Sequence, residues 1–168
     1  MRDGIAGRLL RHLFMEDWAL RRAFTRDVLA AIGTAVGTEE RRTSGELRFA
    51  VEGGLSPWRV LKRQGARDRA IELFSALRIW DTERNNGVLI YVLLADRTVE
   101  IVADRGIHAV AGAAQWERVC AEMQKHFSRG AWEEGAVSGI KAVSDVLAVH
   151  YPAEGENPNE LPDQPVVL

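Results

Sequence analysis

The spacing of apolar positions changes several times along the chain, and the changes divide it. Between 5 and 35 it is helical: Leu10, Leu13 and Phe14 share a face, and Leu20, Phe24 and Val28 follow at intervals of four. This predicts one or two helices, a second one starting at Glu16-Asp17, where acids suit a first turn, and ending at Gly33–Gly37. Glu46–Glu52 alternates, with Leu47, Phe49 and Val51 on one face and Glu46, Arg48 and Glu52 on the other, which predicts a strand. After Gly53-Gly54, Ser56-Pro57-Trp58 reads as a loop. From Ala66 to near Trp80, Ala70, Leu73, Phe74 and Leu77 again fall on one helix face.

Two apolar runs, Val88–Leu94 and Val99–Ala103, are separated by a short polar connection and predict a β-hairpin. The first does not alternate, as expected of a strand covered on both faces. Strand, helix, strand order predicts that the first two strands are parallel through a right-handed crossover, and that the third returns antiparallel. Trp116, Val119, Cys120, Met123 and Phe127 mark a helix over Gln115–Phe127. Another carries Glu133-Glu134 in its first turn, steps through Ile140 and Leu147, and ends at Pro152. The expected organisation is a helical extension over 1–42 packed on the domain, an α/β domain over 43–152, and a flexible acidic, proline-containing tail over 153–168.

A length of 168 residues suits a single core, and a net charge of −2 supplies no global field for nucleic acid or an anionic membrane. The lone Cys120 cannot form an internal disulfide. Arg8, Arg11, His12, Glu16 and Asp17 interrupt any signal-like run, and no apolar stretch is long enough to span a bilayer. A soluble, cytoplasmic protein is expected.

A hairpin brings its outer ends together, so Asn85-Asn86-Gly87 and Asp104-Arg105-Gly106 should be neighbours. Asp81, Glu83, Asn85, Asn86 and Asp104 offer the oxygen ligands that Ca²⁺ or Mg²⁺ takes from loops; the same residues also serve as turn and cap formers. Arg84 and Arg105 could bind a phosphate through paired hydrogen bonds, or form salt bridges to Asp81, Glu83 or Asp104. His108 and His150 lie at element ends without an evident carboxylate partner. Zinc spacing and phosphate-binding glycine loops are absent from the sequence, and neither Ser44 nor Ser56 has a nucleophile-elbow context. The cations between Arg59 and Arg69 read as a solvated face or as a contact for nucleic acid or acidic protein. Trp58, Trp80, Trp116 and Trp132 read as core anchors.

Asn-Asn-Gly-Val-Leu-Ile-Tyr over 85–91, Arg-Thr-Val-Glu-Ile-Val over 97–102 and Arg105-Gly106-Ile107 together resemble the TPM domain family, with the likeness running from about 43 to 152. The resemblance implies a small mixed β-sheet sandwiched between helices, and the N-terminal helices are an extension to it. The family includes a thylakoid-lumen protein of photosystem II repair and bacterial membrane-tethered proteins; acid phosphatase activity and bound divalent metal have been attributed to some members. This chain departs from the pattern in lacking a signal or anchor, and in having Asp104 and His108 where glycine and glutamate are expected.

Two functions follow as expectations. In one, a divalent cation, Ca²⁺ or Mg²⁺, is held by Asp81, Asn85, Asn86 and Asp104, and Arg84, Arg105 and Gly106 bind a phosphorylated ligand for hydrolysis. In the other, the domain is a non-catalytic interaction or assembly module. It would dock an unidentified protein partner through the N-terminal helices and the hairpin edge.

Overall fold

A computed structural model describes residues 4–15, 17–153 and 161–168, with Asp17 by its backbone alone. The N-terminal region is three helices: α1 (Ile5–Leu13), α2 (Asp17–Ala23) and α3 (Arg26–Glu39), the last capped by Thr25, whose hydroxyl accepts from the Val28 amide. α3 runs through Gly33 and Gly37 instead of ending there, and a 3₁₀ turn continues to Arg42. These two glycines admit the C-terminal segment, since side chains there would meet Gln164 and Asp163.

Strand β1 (Glu46–Glu52) leads to α4 (Pro57–Leu61), α5 (Ala66–Ala76), and the hairpin of β2 (Gly87–Leu93) and β3 (Thr98–Ala103). α4 occupies the stretch expected to be a loop; Pro57 at its start presets the helical φ and has no amide hydrogen to leave unpaired. After the hairpin come α6 (Arg105–Ala111), α7 (Ala113–Ser128), α8 (Trp132–His150) and the two-residue strand β4 (Val166–Val167).

The sheet order is β3-β2-β1-β4, with β1 parallel to β2 and β4, and β3 antiparallel to β2. This is the mixed sheet between helices that the patterning predicted. Leu47, Phe49 and Val51 pack with Val88, Ile90 and Val92 against α2, α3, α7 and α8; Ala50, Leu89, Tyr91 and Leu93 pack against α4, α5 and Leu161. All seven residues of β1 are buried, its charged ones included, because pairing on both edges makes it central. Each buried charge is met. Glu52 accepts from Tyr91 Oη at 2.7 Å and Arg69 Nε at 2.8 Å, Arg48 donates to the Pro162 carbonyl, and Glu46 accepts from the Leu161 amide at 3.1 Å.

Trp116 is buried, but Trp58 and Trp80 are exposed at 65% and 49%, so these two are not the core anchors their composition suggested. Much of the Arg59–Arg69 cluster is engaged within the domain: Arg59 pairs with Glu72, Arg67 with Glu100, and Arg69 with Glu52 and Glu72.

Candidate functional site at the hairpin mouth

The two ends of the hairpin do meet. The Asp104 amide donates to the Gly87 carbonyl at 2.9 Å, extending the β2–β3 ladder by one pair. Two glycines make the junction possible. A Cβ on Gly87 would overlap the Ile79 carbonyl oxygen. A Cβ on Gly106 would stand 2.5 Å from the Asn85 carbonyl oxygen and 2.8 Å from Tyr151 Oη. The glycines of the Asn-Asn-Gly and Arg-Gly pairs are therefore close-approach positions.

Asp104 is buried and caps α6: its Oδ1 accepts from the Arg105 amide at 2.6 Å. Residues 104–106 are thus the start of a helix, with Asp104 as its cap. Asn86 is also buried. Its Nδ2 donates to the Ser44 carbonyl at 2.8 Å and its amide donates to Thr82 Oγ1 at 3.2 Å. What remains is informative: Asn86 Oδ1 and Asp104 Oδ2 are both buried and accept no hydrogen bond. Buried acceptors are nearly always satisfied, so two on either side of one backbone contact call for an explanation.

The other predicted residues lie further out. Asn85 is exposed with φ +52°, the left-handed conformation that asparagine tolerates. Asp81 is exposed and ion-paired with Arg78, not with Arg84 or Arg105. Arg84 reaches Ser44 Oγ at 3.4 Å, while Arg105 is exposed on the first turn of α6. His108 and His150 are exposed. Among the described residues no group of three or more His, Cys, Asp or Glu side chains could hold a metal. Any cation here must draw on amide and carbonyl oxygens as well.

Sequence reasoning passed over three residues that build the mouth. Ser44 holds Asn86 through its carbonyl, Thr82 fixes the loop, and Tyr151 packs at Gly106 while its carbonyl accepts from Thr43 Oγ1 at 2.6 Å and the Ser44 amide at 2.9 Å. Their signals were the Thr-Ser-Gly turn before β1 and the last apolar step of α8. A cleft of about 730 Å³ lies elsewhere, between α2, the hairpin tip and the α7–α8 pair; no carboxylate or histidine is among its described lining.

A mixed sheet between helix layers, with loop-borne oxygen donors at the mouth of its hairpin, defines a small α/β domain whose candidate site sits at a strand end. The family model for the TPM domain matches residues 21–146, and the chain belongs to that family. It is similar to the BA42 protein of the psychrophilic bacterium Bizionia argentinensis, at 31% identity and TM-score 0.75, over 85% of this chain and 94% of that one. It also shares its fold with the N-terminal domain of a protein from P. gingivalis, at 19% identity and TM-score 0.56, over 73% of this chain and 76% of the other. Comparison with curated proteins finds no match.

Proposed function

We propose that the hairpin mouth binds a hard divalent cation, Ca²⁺ or Mg²⁺, in the service of phosphate-ester hydrolysis. The observation that supports this most is the pair of buried acceptors, Asn86 Oδ1 and Asp104 Oδ2, that no donor satisfies. Each costs roughly 1–3 kcal/mol when left so, and a bound cation relieves both. The donor set fits: hard cations take carboxylate, side-chain amide and carbonyl oxygens and complete their shell with water. Both side chains are held at their other atom, Asn86 through Nδ2 and Asp104 through Oδ1, so the remaining oxygens are preorganised. Asn85, exposed on the same loop, and Asp81, on leaving Arg78, are the outer ligands of this reading.

A divalent ion bound there would polarise a phosphoryl oxygen and lower the pKa of a coordinated water. Arg105, with Arg84 on the facing loop, would orient the phosphoryl group through paired N–H donors and offset its charge. That the matching family model carries the word phosphatase in its name supports hydrolysis as the reaction class.

The test is thermal melting in EDTA, then with Ca²⁺, Mg²⁺ or Mn²⁺ added. Saturation at about 100 times Kd should stabilise the fold by about 2.7 kcal/mol, and Asp104→Asn should abolish most of that gain. No shift with any ion would remove the site. A shift without hydrolysis of p-nitrophenyl phosphate would keep the cation and remove the reaction.

A further inference from the structure

α1 is mounted inside out. A surface helix ordinarily turns its apolar stripe to the core. Here the polar side faces inward, and Arg8, Arg11 and His12 converge on Asp96 at the hairpin tip. Arg8 donates from both Nε and Nη2, the latter at 2.6 Å, and His12 Nε2 lies 2.9 Å from Oδ1. His12 Nδ1 accepts from the Leu55 amide at 2.8 Å, which puts the ring proton on Nε2. The helix is therefore firmly seated; Leu9 packs against the core beside the polar side, and the rest of the apolar side is left outward, with Leu10, Leu13 and Phe14 53%, 57% and 68% exposed.

The segment next in the chain and the helix packed beside α1 carry further exposed apolar side chains. α2 adds Trp18, and α4, packed beside α1, adds Trp58 and Leu61, all more than half exposed. Cations border it. Arg21, Arg22 and Arg63 have no carboxylate partner among the described residues, and Lys62 lies 4.9 Å over the Trp58 ring. Residues 4–24 and 55–65 hold seven Lys and Arg; Arg8, Arg11 and Arg59 are paired with Asp96 and Glu72, which leaves Arg21, Arg22, Lys62 and Arg63 against Glu16 and Asp17.

We infer that this face binds an anionic lipid surface. The reason lies in the combination of an outward amphipathic helix, tryptophans suited to the headgroup level, and bordering uncompensated cations. A two-fold partner copy would oppose the same cations to themselves, which disfavours a dimer. The contact is peripheral, because no helix among the described residues is long and apolar enough to cross a membrane.

Sedimentation of the full chain with vesicles tests the inference. Vesicles of equimolar phosphatidylcholine and phosphatidylglycerol should bind it at least roughly tenfold better than phosphatidylcholine alone, and about 0.5 M NaCl should weaken the binding. The double variant L13E/F14E should lose the binding with an unchanged melting temperature, since both side chains are exposed. R21E/R22E should reduce it by roughly tenfold or more. Absence of binding to either vesicle, or undiminished binding by L13E/F14E, overturns the proposal. So does a concentration-dependent dimer in light scattering that L13E/F14E dissolves, which would assign the face to a second copy.

Discussion

The β2–β3 hairpin has an aspartate beyond each end, and the two live differently. Asp96, at the tip, is saturated: Arg8, Arg11 and His12 all reach its carboxylate. Burial by itself would raise its pKa, but the hydrogen bonds from Arg8 and His12 outweigh burial and hold the carboxyl below its ordinary range. Asp104, at the mouth, spends one oxygen on the α6 cap and leaves the other buried and unmet. A carboxylate whose lone pairs are filled by the protein is a structural pin. One filled by half, in a preorganised setting, is open to an external partner. The same side chain at two ends of one hairpin thus fastens α1 at one and keeps an unmet oxygen at the other.

The contrast is best broken at the pin. Asp96→Ala leaves Arg8 and His12 facing an empty position and should cost about 3 kcal/mol in urea unfolding, with early proteolysis near α1. Asp104→Asn in the absence of metal should cost far less. Equal losses would mean that both aspartates are structural.

Gly106→Ala comes next. Its methyl must push the first turn of α6 away from the Asn85 carbonyl and Tyr151, at roughly 2 kcal/mol. It should also blunt any metal-dependent rise in melting temperature. A variant of full stability that keeps the metal response would show that the mouth tolerates opening.

The smallest effect concerns a third carboxyl group, Glu40, which also keeps one buried oxygen, Oε1, without a hydrogen bond. Burial, reinforced by the carboxylates of Glu46 and Asp163 and a hydrogen bond with Asp163, pushes Glu40 up from 4.5 to about 8. A carboxyl whose folded pKa lies above its unfolded value stabilises the fold fully below about 4.5 and loses that contribution as pH rises through about 8. The melting temperature should decline across that window, and Glu40→Gln should flatten the decline. Asp96 acts with the opposite sign, since its depressed pKa withdraws stability only as pH falls into the acid range. A melting profile that Glu40→Gln leaves unchanged would remove Glu40 from the account.

Legibility in the sequence followed the range of the interaction. The alternation of Glu46–Glu52, the unbroken run after Gly87 and the helical steps from Trp116 and Trp132 are local patterns, and each named its element and predicted the mixed sheet between helices. The hairpin also dictated that 85–87 and 104–106 would meet, because a tight reversal leaves its ends no other place. Short elements were missed: α4, α6 and β4 hold too few residues to show a period.

What the tertiary structure decided was partner choice. Nothing local tells that Asp81 turns to Arg78 while Asn86 turns to Ser44, or that Asp104 keeps a bare oxygen. Periodicity found the stripe of α1 but not its direction. An apolar helix face points inward by default, and here three polar groups bound to one aspartate 84–88 residues away reverse it. Composition and spacing determine which faces exist; the long-range hydrogen bonds of the folded chain decide which of them turn inward and which stay exposed.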